Sequence, residues 1–300
     1  MKKINIIVLI LLAVLLLCSC SGSFIPKDFY QSAKTGGALE AKYMEYGSYS
    51  VSKYEEAALQ GFEKYIICYP SELESTDKRY PAIVISNGTG WKVSKNLPLL
   101  EHLASWGFVV IGTEEEYDWN GFSSEMCLRH LLRLNEVDIV NDKPNVFKGK
   151  IDFENIGISG HSQGGVGVFN AITSWEHSYM FKAAVAISPT NLALAEALEW
   201  HYDPTLIDTP ILLISGAGGG DDWVITGEQL TELYNSICCE KIMMRRVDTD
   251  HGKTLYAGDG YVTAFFMYHL QGDAEAGKAF LGDDAEILNN PLWQDVYKNK

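Results

Sequence analysis

Three observations predict a single α/β domain: a mostly parallel, doubly wound sheet with helices on both faces. Short runs rich in Val, Ile and Ala, apolar almost without interruption, recur from residue 80 to residue 247. Segments of about 10 to 15 residues with helical spacing separate them, the alternation expected of βαβ units. Residues 156–170 then combine a β-branched run, a glycine-rich turn and a small-residue helix start. Strands that are apolar at every position are buried on both faces, which requires helices above and below the sheet. A chain of 300 residues, 47% hydrophobic, can bury such a core, and no shift in composition, internal repeat or low-complexity tract divides it.

Taken in order, Met1-Lys2-Lys3 is basic, residues 4–17 are almost wholly aliphatic, and Leu17-Cys18-Ser19-Cys20 follows. The apolar run is shorter than the ~20 residues a spanning helix needs. Residues 1–19 resemble a bacterial lipoprotein signal peptide with Cys20 as the lipidated residue, Leu17 being too large to precede a cleavage at Cys18. The resemblance implies export to the cell envelope and a membrane anchor at Cys20. Residues 20–37 are polar and read as a tether, leaving 38–300 as the folded domain. Residues 46–58 and 62–69 alternate like opening antiparallel strands, and 80–86 is the first buried strand. A helix over 94–106 is capped by Gly107 before a strand over 108–112. Helical spacing covers 122–136, a strand 151–159, a helix 163–175 and a strand 183–188. The remaining expectations are helices over 191–200, 226–238 and 260–271 and strands over 210–215 and 241–247.

Composition excludes some partners. The net charge is −15, and loss of Lys2 and Lys3 with the leader makes it −17, so nucleic acid and anionic surfaces would repel the body. Cys68, Cys127, Cys238 and Cys239 are even in number, but their pairing is undetermined, and no Cys/His spacing supports a metal site. Gly216-Ala217-Gly218 and Gly165-Val166-Gly167 each lack the last glycine of a dinucleotide fingerprint, so no cofactor is expected. Arg245 and Arg246 read as a strand edge or an ion pair, and the acidic run from Glu114 to Asp118 as a solvated loop.

The turn Gly160-His161-Ser162-Gln163-Gly164 has the G-x-S-x-G pattern, in which a strained strand-to-helix turn thrusts the serine hydroxyl outward. A serine hydroxyl needs a neutral imidazole beside it and a carboxylate to orient that imidazole. In a parallel sheet both come from loops at the C-terminal ends of later strands. His102, His130, His177 and His269 fall inside helical patterns, His161 belongs to the turn itself, and His201 precedes a strand. His251, directly after the strand at 241–247, is therefore the base. The acid follows the strand at 210–215, where Asp221 and Asp222 compete. In folds of this kind the acid is commonly followed by any residue and then Ile or Val, which favours Asp222, before Trp223-Val224, with Asp221 as the alternative. Two backbone N–H groups should face the developing oxyanion, those of Gln163 and of Thr89 in Asn87-Gly88-Thr89-Gly90.

These residues together resemble the α/β-hydrolase superfamily, in the branch holding dienelactone hydrolases, chlorophyllases, platelet-activating-factor acetylhydrolases and cutinase-like polyesterases. The resemblance spans roughly residues 45–270, and Ser162, Asp222 and His251 stand in its nucleophile, acid, base order. It implies a serine hydrolase cleaving carboxylic esters through an acyl-enzyme. A peptidase or amidase on the same triad, or a tethered binding protein without turnover, are the alternatives. Thr89 stands where polyesterases carry an aromatic residue, and Ser188-Pro189 where they carry a tryptophan, which weighs against bulky polymer recognition. Trp91, His161 and Trp223 are expected to border the pocket, for a small-molecule, glycan or lipid ester.

Overall fold

Residues 25–58 and 61–300 are described by the computed structural model of the chain. The expected signal peptide at 1–19 and the anchor residue Cys20 lie outside them. In chain order come α1 (Phe29–Ser32), α2 (Ala38–Met44), β1 (Val51–Ala57), β2 (Lys64–Pro70), β3 (Tyr80–Ser86), α3 (Leu97–Ser105) and β4 (Val109–Thr113). They continue with α4 (Phe122–Glu136), β5 (Ile151–His161), α5 (Gln163–Thr173), β6 (Phe181–Ile187), α6 (Leu192–Ala197), β7 (Ile211–Ala217) and α7 (Gly227–Ser236). Last are β8 (Lys241–Val247), α8 (His251–Ala257), α9 (Asp259–Gln271), α10 (Ala274–Gly277) and β9 (Trp293–Lys298).

Among the described residues, nine strands form one sheet in the order β1-β2-β4-β3-β5-β6-β7-β8-β9. The run from β4 to β8 is parallel throughout, while β1, β2 and β9 pair antiparallel at the two edges. The period of two explains the uninterrupted apolar strands. Ala82 and Val84 of β3, with Leu213 of β7, enter the core on one face; Ile83, Leu212 and Ile214 enter the core on the other. Helices α4, α5 and α7 cover the first face through Leu128, Phe169 and Leu230. Helices α3 and α9 cover the second through Leu103, Val262 and Phe266.

The tether expected at 20–37 is corrected for its described part. Ile25 and Phe29 are buried with Met44 and Leu99, and Arg246 donates a hydrogen bond to the Lys34 carbonyl. Two apolar side chains in a polar stretch are enough to fasten it, because each can bury its whole side chain against a ready-made groove. Cys68, Cys127, Cys238 and Cys239 are free thiols.

Candidate active site

The site lies at the C-terminal ends of β5, β7 and β8, where the sheet hands its chain to loops and helix starts. Glycine is required where β5 turns into α5. A Cβ on Gly160 would land on the carbonyl of Gly164, and one on Gly164 would land on the carbonyl of Ser86. Between them Ser162 takes φ 60° and ψ −122°, a conformation that a residue with a side chain holds only when its surroundings impose it. Its N–H donates to the Ile187 carbonyl at 2.9 Å, and its own carbonyl accepts from Gly165 at 2.9 Å. The turn is thus fastened to β6 on one side and to its helix on the other.

The loop after β3 closes against this turn. Asn87 donates through Nδ2 to the carbonyls of Thr113 and Glu115, and Gly90 donates to the Glu116 carbonyl. A Cβ on Gly88 would sit 2.9 Å from the His161 carbonyl and 3.7 Å from Ser162 Cβ, so Thr89 follows a residue in contact with the turn. Gln163 is the first residue of α5, where backbone N–H groups have no partner within the helix. Its side chain is buried, and its Oε1 accepts from the Asp118 N–H at 3.1 Å.

His251 opens α8, which Asp250 caps by accepting from the Lys253 N–H. Its Nδ1 lies 2.6 Å from Asp221 Oδ1. The other oxygen of Asp221 accepts from Ser188 Oγ at 2.8 Å and from the Gly216 N–H. This fully buried carboxylate is therefore surrounded by donors, and by accepting from Nδ1 it selects the neutral tautomer in which Nε2 of His251 is the acceptor. Asp222, favoured from sequence, is not the partner. Its side chain is half exposed and pairs with Arg245 at 2.7 Å. The turn at Gly218 decides between the two: Asp221 donates its N–H to the Gly218 carbonyl, and that turn points Asp221 inward and Asp222 outward. Ser188, with φ 42° directly after β6, was missed as a site residue; only its place at a strand end, level with the serine turn, could have flagged it.

His161 packs its ring 4.4 Å from that of His251 and donates from Nε2 to the His251 carbonyl at 2.8 Å. Burial, and then the neighbouring His251, hold its pKa well below the ordinary histidine range, so the ring is neutral. Since the carbonyl only accepts, the proton of that neutral ring sits on Nε2. His161 and Trp91 border a cavity of about 40 Å³ with Gly88, Leu99 and Leu255, and Trp91 Nε1 donates to Asn96 Oδ1 at 2.7 Å. Trp223 stands apart from that cavity, 82% exposed, beside the acid pair.

Two comparisons bear on the site. The profile of the family described as PET hydrolase-like matches residues 31–259, a span that includes Ser162, Asp221 and His251. A bis(hydroxyethyl) terephthalate hydrolase of Streptomyces coelicolor is 32% identical over 188 residues, 62% of this chain and 54% of that protein. The chain thus spans about half the length of this curated relative.

Proposed function

The chain belongs to the PET hydrolase-like family of α/β-hydrolases, and from that premise we propose that it hydrolyses carboxylic esters through an acyl-enzyme on Ser162. The observation that carries the reading is the 2.6 Å contact of His251 Nδ1 with buried Asp221, in a loop packed against the Ser162 turn. Ser162 Oγ attacks the ester carbonyl while His251 Nε2 takes its proton. Asp221 keeps the imidazole in the tautomer that can accept, then stabilises the imidazolium. The oxyanion faces the N–H groups of Gln163 and Thr89, each worth about 3 kcal/mol in such an arrangement. Collapse expels the alcohol with the proton from His251, and water repeats the sequence to release the acid.

For substrate we propose small esters, including aromatic ones of the kind named for the Streptomyces relative. Trp223, 82% exposed beside Asp221, offers a flat apolar surface for an aryl group. Ester hydrolysis is measured on protein lacking residues 1–20, with p-nitrophenyl esters from acetate to long acyl chains and with bis(hydroxyethyl) terephthalate. The wild type should turn over, and Ser162→Ala should lose at least about ten-thousand-fold in kcat. Equal turnover by the two would refute the assignment. We further propose export and lipidation at Cys20, supported by the sequence of residues 1–20; radiolabelled palmitate that enters Cys20→Ser as well as the wild type would refute it.

A further inference from the structure

A second cluster of ligating side chains lies outside the active site, where the start of α4 meets the turn that follows α5. Glu125, in the first turn of α4, has a side chain only 1% exposed. Its Oε1 receives Arg129 Nε and His177 Nδ1, each at 2.7 Å. Its Oε2 is equally buried and has no hydrogen-bond partner among the described residues. Buried carboxylate oxygens are ordinarily satisfied, so an unsatisfied one leaves a position for a further donor or cation. Glu176 approaches from the same turn as His177, and Arg129 Nη2 donates to its Oε2 at 2.6 Å. Ligand atoms of Glu125, Glu176 and His177 all lie within 4.8 Å of one another. Two carboxylates share a single guanidinium and one imidazole here.

We propose that Glu125, Glu176 and His177 bind one divalent cation of the zinc type, with Arg129 as its built-in competitor. One imidazole and two carboxylates are a donor set suited to Zn²⁺, which takes four ligands at about 2.0 to 2.2 Å and can complete its sphere with water. Around a tetrahedral ion ligand atoms stand ~3.4 Å apart, so His177 Nδ1 and Glu125 Oε1, now 2.7 Å apart, separate slightly while Glu176 closes from within 4.8 Å. Glu176 is exposed and Arg129 is 43% exposed, so both have room to move, while Glu125 is the fixed point. Nδ1 is the ligating nitrogen, since it already faces Glu125; the proton it donates there is released to solvent as the ion binds, the ring keeping a proton on Nε2. The sequence hid the set because Glu125 and His177 are 52 positions apart. Occupancy would pin the start of α4 to the end of the helix that carries Ser162.

The test is calorimetric titration of chelator-treated, untagged protein with ZnCl2, with CaCl2 and MgCl2 as controls and thermal melting as a second readout. The wild type should take up one equivalent of Zn²⁺ with a rise in Tm. His177→Ala and Glu176→Gln should each weaken uptake by about 10- to 100-fold. Arg129→Gln, by removing the competitor, should strengthen it. The proposal is overturned if neither wild type nor Arg129→Gln binds one equivalent, if uptake survives unchanged in His177→Ala, or if Ca²⁺ is preferred. His177 and Glu176 are partly or fully exposed, so their variants should fold, and circular dichroism identical to wild type verifies it.

Discussion

At the scale of single residues, the site turns on which of two adjacent carboxylates meets His251. Asp221 carries three donors and no exposure, whereas Asp222 is an exposed partner of Arg245. Asp221→Asn would replace an acceptor at Nδ1 by an ambiguous amide and favour the wrong tautomer, so kcat/KM for a soluble ester should fall about ten-thousand-fold. Asp222→Asn should change it by no more than several-fold, since its half-exposed carboxylate pairs with Arg245 and not with His251. A larger loss in Asp222→Asn would reverse the assignment. Ser162 and His251 can be singled out from sequence because chemistry and strand order leave few alternatives for each, and the structure brings their loops together through His161. It misjudged the acid because a residue-type rule two positions downstream says nothing of how Gly218 to Gly220 turn the chain. The contact of His161 with the His251 carbonyl depends on how two loops approach, which no local pattern encodes.

At the scale of elements, the boundaries read from periodicity agree with the structure where the apolar pattern is long and two-sided. Helix α4 at 122–136 and strand β8 at 241–247 are the plainest cases. The segments missed are short or polar. Helix α8 has seven residues, and β9, with sequence WQDVYK, is an edge strand with a wet outer side. The terminal segments are held by charge as much as by apolar contact. Glu40 is fully buried and receives Gly36 N–H, Arg246 Nη1, Asn290 Nδ2 and Trp293 Nε1. It thereby joins α2 to β8 and to the start of β9. Arg246, expected at an edge or in an ion pair, is the cationic half of a pair buried on both sides. Glu40→Ala would leave that guanidinium uncompensated, at a cost of about 3 to 5 kcal/mol, measurable as a lower urea midpoint. An unfolding free energy unchanged within about 0.5 kcal/mol would show that the network does not hold the termini.

At the scale of the whole molecule, buried histidines set the response to acid. Burial depresses the pKa of His130 to about 4 and of His269 to about 4, and holds His161 well below its ordinary value. The unfolded chain takes up these protons near pH ~6.5 while the folded chain refuses them, so stability is full above that pH and falls toward pH ~4. His102 works in the opposite sense: burial would lower its pKa, but Asp259 outweighs that and raises it. Among the histidines, three depressed groups against one raised group make acid destabilising; buried Asp118, whose pKa burial raises, acts the other way only near the carboxylate range. The urea midpoint should therefore drop between pH ~6.5 and ~4, and His130→Asn should drop less steeply. A wild-type midpoint that rises with acid would contradict this account. The same scale explains why fold class was easier to read than substrate. A doubly wound sheet leaves its mark on every strand, whereas the cavity beside the serine turn depends on a few loop residues such as Gly88 and Trp91.

The most direct test of the central claim is reaction of the intact domain with a fluorophosphonate, followed by peptide mass spectrometry. Stoichiometric modification confined to Ser162, abolished by Ser162→Ala and strongly slowed by Asp221→Asn but not by Asp222→Asn, is the predicted result. An unmodified Ser162, or an adduct on another residue, would contradict the account.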